Sequence, residues 1–152
     1  MTTSWLIDTN VLIYSYDQTQ KLHPPSYRLL ECATAGEINA SISQQNLLEF
    51  LTVVTNFKRV EHPLSIEEAL QKIAFYATRF PLICPLPKTL FTFVDLISKH
   101  PTLGDRAFDL YLSATALDNG ITQICTWNVK HFKTISELTA KTPQEILTLA
   151  KK

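Results

Sequence analysis

Short apolar runs alternate with longer stretches of helical periodicity along the whole chain. Brief runs rich in apolar and β-branched residues predict four strands, at residues 4–8, 38–43, 81–86 and 122–126. Apolar residues three or four positions apart predict helices at 10–16, 24–35, 44–57, 66–79, 88–99 and 105–119, and one from Pro143 onward. Strands separated by helices predict an α/β fold, with a parallel sheet covered by helices on both faces.

Two predicted helices begin with residues that commonly cap helices. Ser65 and Glu68 have the spacing of a capping box before the helix at 66–79. Thr142 precedes the last helix and is its predicted N-cap. These positions fix the starts of both helices.

The composition indicates a single domain, residues 1–152, with a sizeable core. A chain of this length buries roughly 68–70% of the surface that it exposes when unfolded, and 45% of its residues are apolar.

Positive and negative side chains are equal in number, with 14 Lys and Arg together and 14 Asp and Glu together. The balance argues against dense, nonspecific coating of a phosphate backbone, but local patches or metal ions can still bind RNA or DNA.

The three cysteines and the N-terminal residues predict a cytoplasmic protein. Cys32, Cys84 and Cys125 are far apart, lie in apolar surroundings and form no CxxC pair, as expected of buried thiols in a reducing compartment. The N-terminal segment lacks the basic start of a signal peptide. No apolar run reaches the roughly 20 residues that a membrane-spanning helix needs.

Three carboxylates stand at positions where a polar residue is unexpected. Asp8 ends the first predicted strand, and ligands of open α/β sheets bind outside such strand ends. Glu49 lies among large apolar residues of its helix, where it is either part of a solvated stripe or paired with a partner or metal. Asp109 begins a helix that is apolar nearly all round, so a role in a site is favoured. Asp105, one turn earlier on the same face, is explained by N-capping or joins the site as a supporting acid.

Several carboxylates with few basic neighbours suggest a hard divalent cation. Mg²⁺ and Mn²⁺ prefer oxygen ligands and keep waters that a phosphate substrate can displace. Such ions generate a hydroxide nucleophile and neutralise charge in phosphodiester cleavage. The chain contains no P-loop, GxGxxG or GxSxG motif.

Four segments together resemble PIN domains of the VapC type: LIDTNVLIYSYD, ISQQNLLEFLTVV, FDLYLSATAL and QICTWNVKHF. The resemblance covers nearly the whole chain and implies a three-layer α/β/α fold with a central parallel sheet. It also implies a metal-dependent ribonuclease that acts as the toxin of a toxin–antitoxin pair. By this resemblance Asp8, Glu49 and Asp109 are metal-site carboxylates, Asn10 holds the first aspartate, and Thr126 closes the last core strand.

One segment departs from the family pattern. Members of the family usually carry a fourth acid after the last core strand, where this chain has Asn128 and His131. The missing carboxylate should weaken affinity for Mg²⁺, and a nearby imidazole would favour Mn²⁺. On these grounds we expect a nuclease that prefers Mn²⁺, although His131 could instead lie at the rim and contact RNA or solvent.

Two other functions compete with this interpretation. A PIN fold that binds RNA or a partner protein without cutting is consistent with the missing acid. The GDRAFD segment also fits the GDxxxD motif of haloacid-dehalogenase-like phosphatases. Those enzymes have DxD near the N-terminus, whereas this chain has Asp8-Thr9-Asn10, and their motif follows an apolar strand that SKHPTLGD does not resemble.

The helices at 44–57 and 66–79 carry more apolar residues than one core-facing stripe requires. The surplus consists of Leu51, Val54, Phe57, Ile73, Phe75 and Phe80. Exposed apolar surface usually marks an interface, and the resemblance implies a homodimer, an antitoxin groove and an RNA substrate. The alternative is that these residues simply fill the core.

Overall fold

A computed structural model describes residues 3–102 and 104–151, and within them five parallel strands form one sheet. The strands lie in the order β3-β2-β1-β4-β5. Their bounds are β1 Trp5–Ile7, β2 Ala40–Ser43, β3 Leu82–Ile83, β4 Gln123–Cys125 and β5 Thr139–Lys141. The predicted α/β class with a parallel sheet is therefore confirmed, while the outermost residues of the predicted domain 1–152 lie outside the described part.

Eight helices in the described residues cover both faces of this sheet. They are α1 Thr9–Tyr16, α2 His23–Thr34, α3 Gln44–Val54, α4 Ile66–Arg79, α5 Thr89–Lys99, α6 Arg106–Asp118, α7 Val129–Phe132 and α8 Pro143–Ala150. One core contains side chains of α1, α2, α3, α4 and α8, and the other contains side chains of α5, α6 and α7. Helices on both faces of one sheet make a three-layer α/β/α architecture.

The central strands supply alternate residues to the two cores. Leu6 of β1 and Ile124 of β4 pack with α5 and α6, whereas Ile7 and Cys125 pack on the opposite face. This alternation follows from the period of two in a strand. Strands covered on both faces are rich in apolar residues, and β1 is apolar throughout, whereas the buried β2 also contains Ser41 and Ser43.

The order of the strands creates a crevice at one end of β1. The chain passes from β1 outward through β2 and β3, then returns to the other side of β1 to form β4 and β5. Neighbouring connections therefore diverge between β1 and β4, and in open parallel sheets such a point is where ligands bind. Ile7 pairs with Cys125 there, and the Asp8 N–H donates to the Cys125 carbonyl at 3.0 Å.

The four predicted strands and the predicted helices all occur, but two short elements were missed. β5 pairs with β4 in parallel and has only three residues, none of them fully buried. α7 has four residues, which is too short for a 3.6-residue period to be visible. The helix predicted at 44–57 ends earlier, at Val54.

The capping predictions have different outcomes. Ser65 with Glu68 forms a capping box, and so does Thr142 with Glu145. Asp105 precedes α6, but its backbone is helical and its side chain makes no capping hydrogen bond. An N-cap side chain reaches the free N–H groups from an extended backbone, so the capping explanation of Asp105 was wrong.

The apolar surplus on α3 and α4 is only partly exposed. Val54 and Phe80 are buried in the core, and Leu51 and Ile73 pack against it. Phe57 and Phe75 are exposed, at 76% and 46% of their surface. The prediction of a surface surplus was thus wrong for Val54 and Phe80, because both side chains fill the core.

None of the helices in residues 3–102 and 104–151 has the length and apolarity to span a membrane.

Candidate active site

Asp8 lies at the end of β1 and accepts hydrogen bonds on both carboxylate oxygens. It is the N-cap of α1, where Oδ1 accepts from the Thr9 N–H at 2.7 Å. Oδ2 accepts from the Thr126 hydroxyl at 2.7 Å and from Asn10 Nδ2 at 3.4 Å. Only 7% of the residue is exposed. The carboxylate is therefore buried in a fixed orientation rather than solvated in a loop.

Thr126 and Asn10 connect the end of β4 to the start of α1. The Thr126 Oγ1 accepts from Asn10 Nδ2 at 3.2 Å and from the Asn128 N–H at 3.0 Å, while donating to Asp8. Asn10 Oδ1 accepts from the Trp127 N–H at 3.1 Å. Both residues were implied by the resemblance, and the structure brings both to Asp8.

Glu49 is half-buried on α3, and its carboxylate also has fixed partners. Thr9 Oγ1 donates to Oε2 at 2.9 Å, and Gln45 Nε2 donates to Oε1 at 2.8 Å. Gln45 also donates to the Phe108 carbonyl at 3.1 Å, which connects α3 to the first turn of α6. These contacts hold the Glu49 carboxylate near the end of β1. Glu49 is therefore not part of a solvated stripe, which was the alternative that the sequence left open.

Sequence reasoning missed the residues that support Glu49. Ser43 Oγ donates to Asn46 Oδ1 at 2.6 Å and accepts from the Asn46 N–H in a capping box. Asn46 Nδ2 then donates to Thr9 Oγ1 at 3.1 Å. The spacing of Ser43 and Asn46, and Gln45 four residues before Glu49, are the signals that could have indicated them.

Asp109 lies in the first turn of α6 and contacts His131. The His131 Nδ1 is 3.0 Å from Asp109 Oδ2 and donates to it when that nitrogen carries its proton. Arg106 Nη2 donates to the His131 carbonyl at 3.4 Å. His131 is thus beside a site carboxylate, whereas Asn128 and Asp105 are exposed and make no side-chain contact with the three carboxylates in the described part.

The phosphatase motif read from GDRAFD does not have its expected context. Residues 100–102 form no strand, Asp105 is exposed, and Asp109 belongs to α6. A strand leading into the motif is what positions its acids. This alternative is not supported by the fold.

Burial raises the pKa values of two of the acids, and like charge adds to the rise at Asp8. Desolvation raises the pKa of Asp8 to about 6, with further increases from the charges of Asp109 and Glu49, although bonds from Thr126 and Thr9 lower it. Desolvation also raises the pKa of Asp109, while the hydrogen bond and charge of His131 and the charge of Arg106 oppose it. Asp8 therefore faces two carboxylates closely enough to be affected by their charge.

The donor set fits a hard divalent cation, but its members are not gathered into a ready cage. Across residues 3–102 and 104–151, no three His, Cys, Asp or Glu side chains meet in a metal-holding group. In the same residues no Lys, Arg or His pairs with Asp8 or Glu49. A metal ion that prefers oxygen ligands neutralises carboxylates that face one another without a counter-ion.

Comparisons with known proteins agree over most of the chain. The PIN domain family model matches residues 5–138. Ribonuclease VapC37 of Mycobacterium tuberculosis is 26% identical over 116 residues, 75% of this chain and 81% of that protein. VapBC2 from Rickettsia felis, bound to a promoter DNA fragment, has a TM-score of 0.65 at 21% identity, covering 92% of this chain and 98% of that one. M. tuberculosis VapC20, described as a sarcin-ricin loop cleaving toxin, has a TM-score of 0.66 at 15% identity, covering 87% and 95%.

Neutralising Asp8 should stabilise the metal-free protein at neutral pH. Because the pKa of Asp8 is about 6 in the folded protein and near its ordinary value of 3.8 when unfolded, ionised Asp8 opposes folding above pH 6, and the opposition disappears below about pH 4. The Asp8→Asn protein should therefore unfold with a free energy up to about 3 kcal/mol larger at pH 7. This advantage should vanish near pH 4.

Urea unfolding in EDTA between pH 4 and 7 measures this difference. Asp105→Asn is the control, since that carboxylate is exposed and should change little. A less stable Asp8→Asn protein at pH 7 would show that hydrogen bonding to the carboxylate outweighs its desolvation.

Proposed function

This chain belongs to the PIN domain family, and on that premise we propose that it is a metal-dependent endoribonuclease of the VapC toxin type. The observation that carries the proposal is that the charges of Glu49 and Asp109 act on the buried carboxylate of Asp8, which lies at the crevice beside β1. The relative VapC37 is a ribonuclease by name, which supports RNA as the substrate. Such a function would be exercised in the cytoplasm.

In this proposal Asp8, Glu49 and Asp109 hold the metal, Mg²⁺ or Mn²⁺. When bound, such an ion supplies a hydroxide nucleophile and neutralises charge on the scissile phosphate. The chain's own residues orient the ligands. Thr126 and Asn10 fix Asp8 through hydrogen bonds to Oδ2, and these bonds use only part of the carboxylate's lone pairs, so that others can bind a metal.

Glu49 and Asp109 are oriented from opposite sides of the crevice. Thr9 and Gln45 hold Glu49 through one hydrogen bond to each carboxylate oxygen. His131 contacts Oδ2 of Asp109 and leaves Oδ1 available. Orientation of this kind matters because metal ligands held by a second layer of hydrogen bonds bind more tightly.

A binding module that does not cut RNA is the second candidate function. It is favoured by the absence of a preformed three-ligand group in the described residues and by the contact of His131 with Asp109. The two functions differ in one measurable property, since only the nuclease cleaves RNA when a divalent metal is supplied.

Replacing Asp8 or Asp109 by Asn should abolish RNA cleavage. Loss of one metal-binding carboxylate removes several kcal/mol of stabilisation, equivalent to a fall of about a thousandfold or more in rate. Cleavage of a labelled RNA is measured with Mn²⁺ and with Mg²⁺, and Asp105→Asn is the matched control. Full activity of Asp8→Asn would refute the site, whereas no cleavage by the wild-type protein with either metal would favour the binding module.

A carboxylate restored at position 131 should strengthen Mg²⁺ binding. His131 contacts Asp109, so His131→Asp places a further charge beside the site and should raise the affinity for Mg²⁺ about tenfold or more. Titration calorimetry measures it. Asn128→Asp is the control at the other departing position, which is exposed; a gain confined to that variant would place the missing acid at Asn128 instead.

We propose that the chain pairs with an antitoxin through a groove between α2 and α4. The groove has a volume of about 770 Å³, and Tyr27 and Phe75 in its lining remain 49% and 46% exposed. The structural relative VapBC2 is a toxin–antitoxin complex by its title. The expected homodimer also remains a proposal. It is supported by three exposed apolar residues of α5, Leu90, Phe91 and Val94. Light scattering of the chain alone tests it.

A charge in this groove should prevent antitoxin binding. Phe75→Glu should weaken, by about tenfold or more, the pull-down of an antitoxin encoded in a neighbouring reading frame, because burying a carboxylate in an apolar contact is costly. Phe57→Glu is the control, since Phe57 is more exposed and lies outside the groove. Equal loss in both variants would argue against the groove.

A further inference from the structure

A second, smaller pocket lies between α1 and the end of α3, next to Asn10, which contacts Asp8. Its volume is about 250 Å³, which suits part of a single nucleotide better than a protein segment. Its lining includes Asn10, Tyr14, Tyr16, Asp17, Val53, Arg59 and Glu61.

Two residues make this pocket continuous with the carboxylate site. Asn10 lines the pocket and also donates to Asp8 and Thr126. Val53 lies four residues after Glu49 on α3, so both side chains are on the same face of that helix. A chain whose phosphate lies at the carboxylates can therefore extend directly into the pocket.

The walls of the pocket are tied together by His62. The Tyr16 hydroxyl donates to the His62 carbonyl at 3.3 Å, and His62 Nδ1 is 3.5 Å from Asp17 Oδ2. Asp17 is buried, and Thr19 and Gln20 also donate to its oxygens. These bonds lower the pKa of Asp17 in spite of its desolvation. The carboxylate is thus occupied in holding the wall.

Tyr14 and Arg59 are the lining residues left for a ligand. Within the described part of the chain, the Tyr14 hydroxyl and the Arg59 guanidinium have no side-chain hydrogen bond or ion pair. An aromatic face beside an unpaired guanidinium is the combination that binds single-stranded nucleic acid, by stacking with a base and by contact with its phosphate. Glu61 also lines the pocket and is exposed, so its carboxylate can accept from an exocyclic amine.

We propose that this pocket is a subsite for one nucleotide of a single-stranded RNA, next to the phosphate that is cut. Tyr14 stacks with the base, and Arg59 contacts the phosphate of the same nucleotide. This subsite rests on the proposed ribonuclease function and adds the residues that bind substrate outside the carboxylates.

Three variants test the subsite with a short, fluorescein-labelled single-stranded RNA of mixed sequence. Anisotropy in EDTA measures binding without metal-dependent cleavage, and KM and kcat are measured separately with Mn²⁺. Tyr14→Ala should weaken binding, or raise KM, about tenfold or more, and Tyr14→Phe should restore it because the ring is kept. Arg59→Ala should weaken binding and reduce the slope of log affinity against log salt by about one. In all three variants kcat should stay within about twofold of wild type.

Lys58→Ala is the matched control for Arg59→Ala. It removes the neighbouring positive charge of the same loop, but Lys58 does not line the pocket. Equal losses at Lys58 and Arg59 would mean diffuse attraction and would overturn the subsite, as would unchanged KM and affinity in Arg59→Ala and Tyr14→Ala. A wild-type protein that neither binds nor cleaves RNA would overturn the proposed function and the subsite together, so the two failures are distinguishable.

Discussion

A carboxylate buried at the end of a central strand sets the requirements for the surrounding structure. Asp8 closes β1 between two apolar cores, and an unpartnered charge there would cost more than such a domain can tolerate. Its oxygens therefore accept from the α1 backbone and from the Thr126 hydroxyl. Because one partner comes from β4, the site exists only when the parallel pairing of β1 and β4 has formed.

The same crevice accumulates negative charge that the protein does not neutralise itself. Glu49 and Asp109 both act on Asp8, and the described residues provide no cation paired with Asp8 or Glu49. This unneutralised charge lowers the stability of the fold but serves the proposed function, as is common at sites that hold titratable groups for chemistry. An external cation would resolve the conflict, and for this reason the proposed function includes a metal.

His131 changes the balance of this charge on the α6 side. Its imidazole contacts Asp109 where the family usually has a further acid, and its carbonyl accepts from Arg106. The site is thus less negative beside Asp109 than beside Asp8. On the α1 side, the proposed subsite adds the positive charge of Arg59, although the carboxylates of Asp17 and Glu61 also line that pocket.

The sequence alone predicted the layer architecture and singled out the candidate acids. Apolar runs and helical periods are local properties, so they predicted four strands, most helix bounds, the capping box at Ser65 and the cap at Thr142. An acid within an apolar run is also visible locally, which is why Asp8 and Asp109 could be singled out.

Only the tertiary structure decided which residues support Glu49 and that the Thr126 hydroxyl donates to Asp8. The hydrogen bonds from Thr9 to Glu49 and from Thr126 to Asp8 join residues 40 and 118 positions apart. No local pattern encodes such pairs, because they depend on how the strands are ordered in the sheet.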